Sequence, residues 1–174
     1  MSTRTAGVST PPPIEMKQIT VISVGTLKED FLREAAAEYE KRLSAFCRVE
    51  NINLKEERIV NEDNPAEIAA ALDAEGERML SRVPPGAYTV ALCVEGKELD
   101  SPALARELGA ALDRCGKLCF FIGSSHGLSP AVKAAANAGI SLSRLTFPHG
   151  MARVLLLEAV YRSMNILAGK KYHK

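Results

Sequence analysis

No apolar run in this 174-residue chain approaches the roughly 20 consecutive residues that a membrane-spanning helix needs. The biases of disordered, collagen-like or acidic-tail proteins are also missing, because 47% of the residues are hydrophobic and 25% are charged. Net charge is only +1, so bulk charge predicts no class of partner. These absences predict a soluble globular protein that is long enough to bury a sizeable core.

Signatures of metal binding are lacking as well. The four cysteines form no C-x-x-C pair, and no histidine stands at zinc-finger spacing. Cys93 lies in an apolar, strand-like run, and Cys115 and Cys119 flank another such run. We therefore expect reduced, buried thiols of a cytoplasmic protein, and no metal site.

The first fifteen residues differ from the rest of the chain. They are rich in Ser, Thr and Pro, and the run Pro11-Pro12-Pro13 fits neither a helix nor a central strand. They contain no apolar segment of the kind that a secretory signal carries. We predict a disordered extension over 1–15 without a function of its own, and a single domain over 16–174.

From Met16 onward, β-branched runs alternate with amphipathic ones. This pattern predicts five strands, at 18–24, 49–54, 88–94, 118–122 and 140–146, and five helices, at 28–46, 65–82, 101–115, 130–139 and 151–168. The alternation indicates an α/β fold with a mostly parallel sheet of five to six strands and helices on both faces. Ligands bind at the carboxyl ends of such strands, so the candidate loops are 95–100, 123–129 and 147–150.

The loop after the fourth strand, Gly123-Ser124-Ser125-His126-Gly127, matches G-x-S-x-G, the nucleophile elbow of serine hydrolases. The order Ser125, Glu158, His173 fits a catalytic triad. Against this, the helix start signal comes only at Ser129, whereas an elbow serine leads directly into its helix. The loop matches neither the dinucleotide-binding glycine pattern nor a P-loop. The glycines of this loop are explained equally well by a tight connection between strand and helix and by contact with a ligand.

A second loop, Thr146-Phe147-Pro148-His149-Gly150, has more specific features. Pro148 holds Phe147 extended, and Gly150 permits a sharp change of direction. Unpaired backbone groups beside an aromatic ring suit a flat heterocycle. The alternative is an ordinary turn with Phe147 in the core.

The last predicted helix is apolar nearly all round, apart from a narrow stripe of Glu158, Arg162 and Asn165. A helix of this kind is buried on two sides, and in so short a chain we expect the second side to contact another copy in a homodimer. Arg153 projects from an apolar face. It is a candidate ligand for an anion or a substrate, unless its side chain extends to water.

Basic residues are concentrated at the C-terminal end. From position 142 onward there are six of them against the single acid Glu158. Such a segment suits a phosphate backbone, although a helix C-terminus also favours cations. The final Tyr172-His173-Lys174 combines an aromatic ring, a group that titrates near neutrality and a cation. Terminal residues are, however, commonly mobile and without a role.

Taken together, these residues resemble the RlmH-type SPOUT methyltransferases. The resemblance covers the chain from Met16 onward and rests on Phe121-Ile122-Gly123, Gly127-Leu128-Ser129-Pro130, Ser141-Leu142-Ser143, Leu145-Thr146-Phe147-Pro148-His149, Arg153-Val154, Glu158, Tyr161-Arg162 and Tyr172-His173-Lys174. It implies an α/β-knot fold whose C-terminal segment forms a deep trefoil knot, and a homodimer. The implied reaction is methyl transfer from S-adenosylmethionine, without a metal, to N3 of a pseudouridine. The implied target is the helix-69 loop of 23S ribosomal RNA on the assembled ribosome, with neither DNA nor a membrane as partner.

The resemblance also implies roles for individual residues. It places the cofactor contacts on Leu92, Gly123, Leu142, Ser143, Arg144, Leu145, Thr146 and Phe147. We expect His173, Arg153 and Tyr172 to be catalytic, and Lys170, Lys171 and Lys174 to contact RNA phosphates. The chain departs from the family at Ser124, where a glycine is usual, and a Cβ there could narrow the cofactor mouth. A non-catalytic RNA-binding knot protein is the remaining alternative.

Overall fold

The computed structural model of the protein describes residues 16–172. The predictions for the extension over 1–15, and those for His173 and Lys174, lie outside the described residues.

Strands and helices alternate along the chain as predicted. The strands are β1 (Gln18–Val24), β2 (Arg48–Leu54), β3 (Tyr88–Glu98), β4 (Lys117–Ile122) and β5 (Ala138–Ser141). The helices are α1 (Asp30–Leu43), α2 (Pro65–Leu80), α3 (Ser101–Cys115), α4 (Pro130–Ala135) and α5 (His149–Leu167). All pairings are parallel, and the five strands lie in the order β2-β1-β4-β3-β5. The parallel α/β sheet is thereby confirmed, whereas the trefoil knot stays a prediction.

The helix starts follow from capping residues and prolines. The side chains of Asn64, Asp100 and Ser129 accept hydrogen bonds from backbone N–H groups in the first turns of α2, α3 and α4. Each of these helices also carries a proline at its start, where the missing N–H costs nothing. Ser129 caps α4 as predicted. The pair Ser101-Pro102 in the sequence likewise predicts Ser101 as the cap of α3, but the cap is Asp100, one residue earlier.

Helices cover both faces of the sheet, as predicted. One core contains Leu43 of α1, Leu108 of α3 and Leu157 of α5, packed on β1 and β4. The other contains Met79 of α2 and Val132 of α4.

All four cysteines are free thiols. Within residues 16–172, no helix combines the length and the hydropathy that crossing a membrane requires.

The bounds of the edge strand β5 and of its neighbour β3 differ from the predicted ones. β3 continues to Glu98 rather than ending at residue 94, because it pairs with β5 on both sides of a bulge. At this bulge, Gly96 lies so close to β5 that a Cβ would stand 2.7 Å from the Ile140 nitrogen. β5 ends at Ser141, and the predicted strand residues 142–146 form a loop. After Ser141 the chain turns away from β3, and within this turn the Ser141 hydroxyl donates to the Ser143 carbonyl at 2.9 Å.

The helix bounds shift as well. α1 is shorter than the predicted 28–46, α4 ends before the predicted 139, and α5 begins at His149 rather than 151. The sequence pattern places Phe31 on the buried face of α1, but this side chain is 62% exposed. It stands in the first turn of α1, where the adjacent Leu32 is the side chain that is buried.

Candidate functional site

The carboxyl ends of β4, β3 and β5 open into one cleft of about 730 Å³. This volume lies within the range of roughly 300–1,000 Å³ that is usual for small-molecule sites. β4 and β5 contribute residues at their ends and in the loops that follow, whereas β3 contributes residues 92–95, where its pairing with β5 is interrupted by the bulge. The wall includes Leu92, Val94, Gly123, Ser124, Gly127, Leu142, Ser143, Leu145, Thr146, Phe147 and His149. The cleft therefore lies where the parallel sheet was expected to place it.

The loop after β4 doubles back on itself. The N–H of Gly127 donates to the Ser124 carbonyl at 2.9 Å, and Gly127 has a φ of +86°. A Cβ on Gly123 would overlap the Gly127 carbonyl group and stand 2.9 Å from the Leu128 nitrogen. Gly123 is thus required by the close approach of its own loop. Ser124 fits this turn, since no non-glycine residue within 16–172 has a positive φ.

The loop after β5 forms the opposite wall. Ser143 organises it, because its carbonyl accepts from Ser141 and its hydroxyl accepts the Leu145 N–H at 3.0 Å. Phe147 is half-buried and lines the cleft with Thr146. This wall thus contains a backbone turn closed by its own hydrogen bonds and one aromatic ring. Such an arrangement suits the binding of a flat heterocycle.

An ion pair stands in the cleft wall. Lys133 of α4 donates to Glu95 of β3 and holds the pKa of that carboxyl below its usual value. Beside it, burial raises the pKa of the Cys93 thiol above the ordinary 9.0, and Glu95 adds to the effect. Nothing in the sequence distinguishes Lys133 from any lysine on a short helix, and the apolar run around Cys93 indicates only a core thiol.

Seven of the eight residues predicted to bind a cofactor lie in the cleft wall. The exception is Arg144, whose side chain is 91% exposed and pairs with Glu98 at 3.2 Å outside the cleft. Arg144 therefore belongs to the run 142–147 by its position in the chain, and its side chain is not part of the cleft wall.

A second pocket, of about 330 Å³, lies at the ends of β1 and β2. Its wall includes Thr26, Arg33, Glu40, Asn53 and Arg153. Arg153 is 7% exposed, so it does not extend to water. Its Nη1 donates to Asn53 Oδ1 at 2.7 Å, and Nη2 is 3.8 Å from Glu40 Oε1. Burial lowers the pKa of this guanidinium, and the nearby Glu40 opposes that effect.

The two pockets meet at His149. Its ring lines the cleft, while its Nε2 lies 3.4 Å from the carbonyl oxygen of Thr26 in the wall of the second pocket. Gly25, with a φ of +90°, makes room for the ring, because a Cβ there would stand 2.9 Å from His149 Nε2. On α5, Ala152 faces the cleft and the adjacent Arg153 faces the second pocket. The two pockets are therefore separated by about one side chain.

The described part of the tail lies elsewhere. Tyr172 packs edge-on against Tyr161 at 4.8 Å between ring centroids, and the Arg162 guanidinium stands 4.9 Å from the Tyr172 ring. The Lys170 ammonium lies 4.7 Å from the centroid of Phe46. Neither pocket is lined by residues 170–172, so the structure does not bring the predicted catalytic residue Tyr172 to the cleft of its own chain.

The serine hydrolase alternative finds little geometric support. Ser125 sits in an exposed turn, with its Oγ 3.3 Å from His126 Nδ1, and α4 begins only at Pro130. Glu158, the predicted acid, is held by Arg162 at 2.6 Å on α5. Within residues 16–172, no group of three or more His, Cys, Asp or Glu side chains could hold a metal ion.

The family model and the sequence relatives agree on one family. The family described as "Predicted SPOUT methyltransferase" matches residues 16–173. The chain is 43% identical over 157 residues to the ribosomal RNA large subunit methyltransferase H of Bacillus pumilus, covering 90% of this chain and 99% of that protein. It is also 43% identical over 158 residues to the protein of the same name from Streptococcus thermophilus, with the same coverage. Among solved structures, a probable methylase family protein from Haemophilus influenzae has a similar fold, with a TM-score of 0.51, 13% identity and coverage of 90% of this chain and 70% of that one.

Proposed function

The chain belongs to the SPOUT methyltransferase family, and we propose that it methylates N3 of a pseudouridine in the helix-69 loop of 23S ribosomal RNA. The methyl donor is S-adenosylmethionine, and the substrate is the assembled ribosome in the cytoplasm. The relatives named as large-subunit ribosomal RNA methyltransferases support the RNA as substrate. The specific base and loop come from the motif resemblance.

One observation carries the proposal: the cleft between the turn at Gly123 and the loop at Phe147. A Cβ at Gly123 would fill space that the returning backbone occupies, and the opposite wall offers backbone groups and an aromatic ring. This arrangement fits an adenosyl group, with the adenine held by Leu142, Thr146 and Phe147. A bound S-adenosylmethionine supplies an electrophilic methyl, whose bond to sulfur breaks with the electron pair left on sulfur.

The residues of the chain supply alignment and proton removal. Holding the two reactants in line contributes about 7–11 kcal/mol to catalysis without covalent chemistry. N3 of the base forms the new bond to the methyl carbon, and its proton passes to His173 as general base. Arg153, buried one side chain away from the cleft, donates to a base carbonyl and stabilises the charge that develops there.

To take part in the reaction, the tail must either move to the cleft of its own chain or reach the cleft of a second copy. Tyr172 packs on Tyr161 and Arg162 in this structure, so it reaches a base above the cleft only after leaving these contacts, or at the cleft of a partner chain. There it stacks on the target base. Lys170, Lys171 and Lys174 contact phosphates and make binding dependent on salt.

We also propose that the protein is a homodimer through α5. α1 and α3 of the same chain already cover much of this helix. A half-buried stripe containing Met151, Leu155 and Ile166 remains, with the Glu158–Arg162 ion pair along it. A second copy would bury this stripe.

The first experiment is a calorimetric titration of the full-length protein with S-adenosylmethionine, followed by transfer of a labelled methyl group to ribosomes and to a naked helix-69 hairpin. We expect cofactor binding, methylation of ribosomes and little methylation of the hairpin. Labelling of Ser125 by a phosphonate without cofactor binding would favour the hydrolase. RNA binding without cofactor binding would favour a non-catalytic knot protein.

Deletion of Tyr172, His173 and Lys174 tests the tail. We expect methylation to be lost, while cofactor affinity stays near that of the wild type, because the described tail residues line neither pocket. The mass of the dimer should also stay near that of the wild type, because the deletion leaves Met151, Leu155 and Ile166 of the α5 stripe in place. Glu38→Ala, on the exposed side of α1, is the control. Full methylation by the truncated protein would exclude the tail from the reaction.

A further inference from the structure

The second pocket contains a buried cation whose hydrogen bonds are incomplete. The Arg153 side chain is 8% exposed, and its Nε has no partner among residues 16–172. Of its two remaining nitrogens, Nη1 is bonded to Asn53, while Nη2 stands 3.8 Å from Glu40, beyond hydrogen-bond distance. A buried guanidinium left in this state is costly, and the pocket in front of it has room for a group with acceptor oxygens.

The neighbours of Arg153 present both donors and acceptors. Asn53 Oδ1 already accepts from Arg153, which leaves the amide N–H groups of Asn53 to donate. Glu40 accepts from Asn51 at 2.8 Å through Oε1, and its other carboxylate oxygen is available for a second donor. A ligand that complements these side chains carries carbonyl oxygens beside an N–H group. This is the pattern on the edge of a uracil-type base.

The position of the pocket suits the target base. It lies at the same end of the parallel strands as the cofactor cleft, beside the carboxyl ends of β1 and β2. β1 is the neighbour of β4, whose end forms part of the cleft. His149 contacts both cavities. A volume of about 330 Å³ is at the small end of ligand sites and is sufficient for one flipped-out base, but not for a nucleotide chain.

We infer that the pocket formed by Glu40, Asn53 and Arg153 holds the extruded pseudouridine base, with Glu40 accepting from N1–H and Arg153 donating to O2. This inference rests on the proposed function and adds how the base is recognised. In this orientation N3, which follows O2 around the ring, faces the cleft across His149, whose ring has to turn aside before the methyl group can reach N3. The charge that develops on O2 as N3 loses its proton meets the guanidinium.

Glu40 then distinguishes pseudouridine from uridine. Pseudouridine has a free N1–H, because its ribose is attached to C5, whereas N1 of uridine carries the ribose and has no proton to donate. The Glu40 side chain is 31% exposed in the free pocket, and once a uridine base covered it, its carboxylate would lack this partner. Sites built to bond a substrate N–H discriminate strongly against analogues that lack it.

A binding measurement without the methyl donor tests this directly. Pseudouridine 5′-monophosphate and uridine 5′-monophosphate are titrated into the labelled full-length protein, and the side-chain amide signal of Asn53 is followed by NMR. The signal is identified by its loss in Asn53→Ala. We expect a larger shift with the pseudouridine nucleotide, and equal, small shifts with both nucleotides in Glu40→Ala. Equal responses of the wild-type protein to the two nucleotides would overturn the inference.

Methylation of ribosomes that carry either pseudouridine or uridine at the target position provides the second readout. We expect the preference of the wild type, expressed as a ratio of kcat/KM values, to fall about tenfold in Glu40→Ala, as for one lost hydrogen bond to a charged group. Glu40→Gln keeps an acceptor oxygen and should restore part of the preference. Glu38→Ala, on the same helix but outside the pocket, should leave it unchanged.

The outcomes separate the two claims. A wild-type protein that methylates neither ribosome contradicts the proposed function. A wild-type protein that prefers pseudouridine, with the same ratio in Glu40→Ala, contradicts only the base pocket. Loss of the dimer in Glu40→Ala, measured by light scattering, would assign the pocket to contact with a second copy and overturn the inference. If Glu40→Ala does not fold, Asn53→Ala tests the same pocket from β2, with an expected loss of about tenfold on the pseudouridine ribosome.

Discussion

Replacing Gly123 by alanine tests whether the turn after β4 shapes the cofactor cleft. The new Cβ would overlap the Gly127 carbonyl group and stand 2.9 Å from the Leu128 nitrogen. Because these are backbone atoms, no side-chain rotation can relieve the overlap, and the turn must retreat by about 1 Å. Overpacking of this kind costs roughly 1–3 kcal/mol, or roughly 2–12 °C in Tm for a chain of this size.

The effect on binding should exceed the effect on stability. The displaced segment is itself cleft wall, and a misplacement of 1 Å can cost about a hundredfold in rate. We expect Gly123→Ala to lower the affinity for S-adenosylmethionine by about tenfold or more, measured by calorimetry, while the protein still unfolds cooperatively in a thermal scan.

A matched control separates local strain from cleft geometry. Gly86 lies in the turn before β3 with a φ of +75°, and a Cβ added there would meet no atom within 4 Å. Gly86→Ala should cost about 1–2 kcal/mol of stability through its backbone alone and leave cofactor affinity unchanged. Wild-type affinity in Gly123→Ala would refute the reasoning, because the cleft would then tolerate movement of its wall.

Two further predictions concern side chains at and beside the cleft. Alkylation of Cys93 by iodoacetamide should be slow at neutral pH and accelerate as the pH rises, because burial raises the pKa of the thiol and only the thiolate reacts. Bound S-adenosylmethionine should slow it further, as measured by peptide mass spectrometry with the half-buried Cys115 as internal reference; unchanged labelling would place the donor elsewhere. Arg144→Ala should leave the calorimetric affinity for the donor unaltered, since that side chain points away from the cleft; a tenfold loss would show that the loop rotates on binding.

The regular elements of the fold were predictable because their signals are local. β1 is a β-branched run with six of its seven residues buried, and Pro65, Pro102 and Pro130 mark helix starts. The extension of β3 through Glu95 and Gly96 was not predictable, because polar residues beside a glycine are typical of a loop. Only pairing with β5, more than forty residues later, keeps that segment extended.

The candidate site also has one part that was predictable from the sequence and one part that was not. Its loops follow from the rule that ligands bind at the carboxyl ends of parallel strands, and Gly123 and Phe147 both lie there. The pocket around Arg153 could not be found from the sequence, since Asn53 is 100 positions away from Arg153 and Glu40 lies on another helix. No spacing pattern connects these three residues, and it is the packing of α1 against both α5 and β2 that brings them together.

Both cavities open at one edge of the sheet, so the opposite edge, at the amino ends of the strands, is a place for a modification that avoids both. The turn at 84–87 enters β3 from that opposite edge, and Gly86 faces open space. A short epitope or fluorescent peptide inserted after Gly86 would project away from both cavities. Such an insertion would allow fluorescence to test whether the protein binds ribosomes, without a label in either cavity.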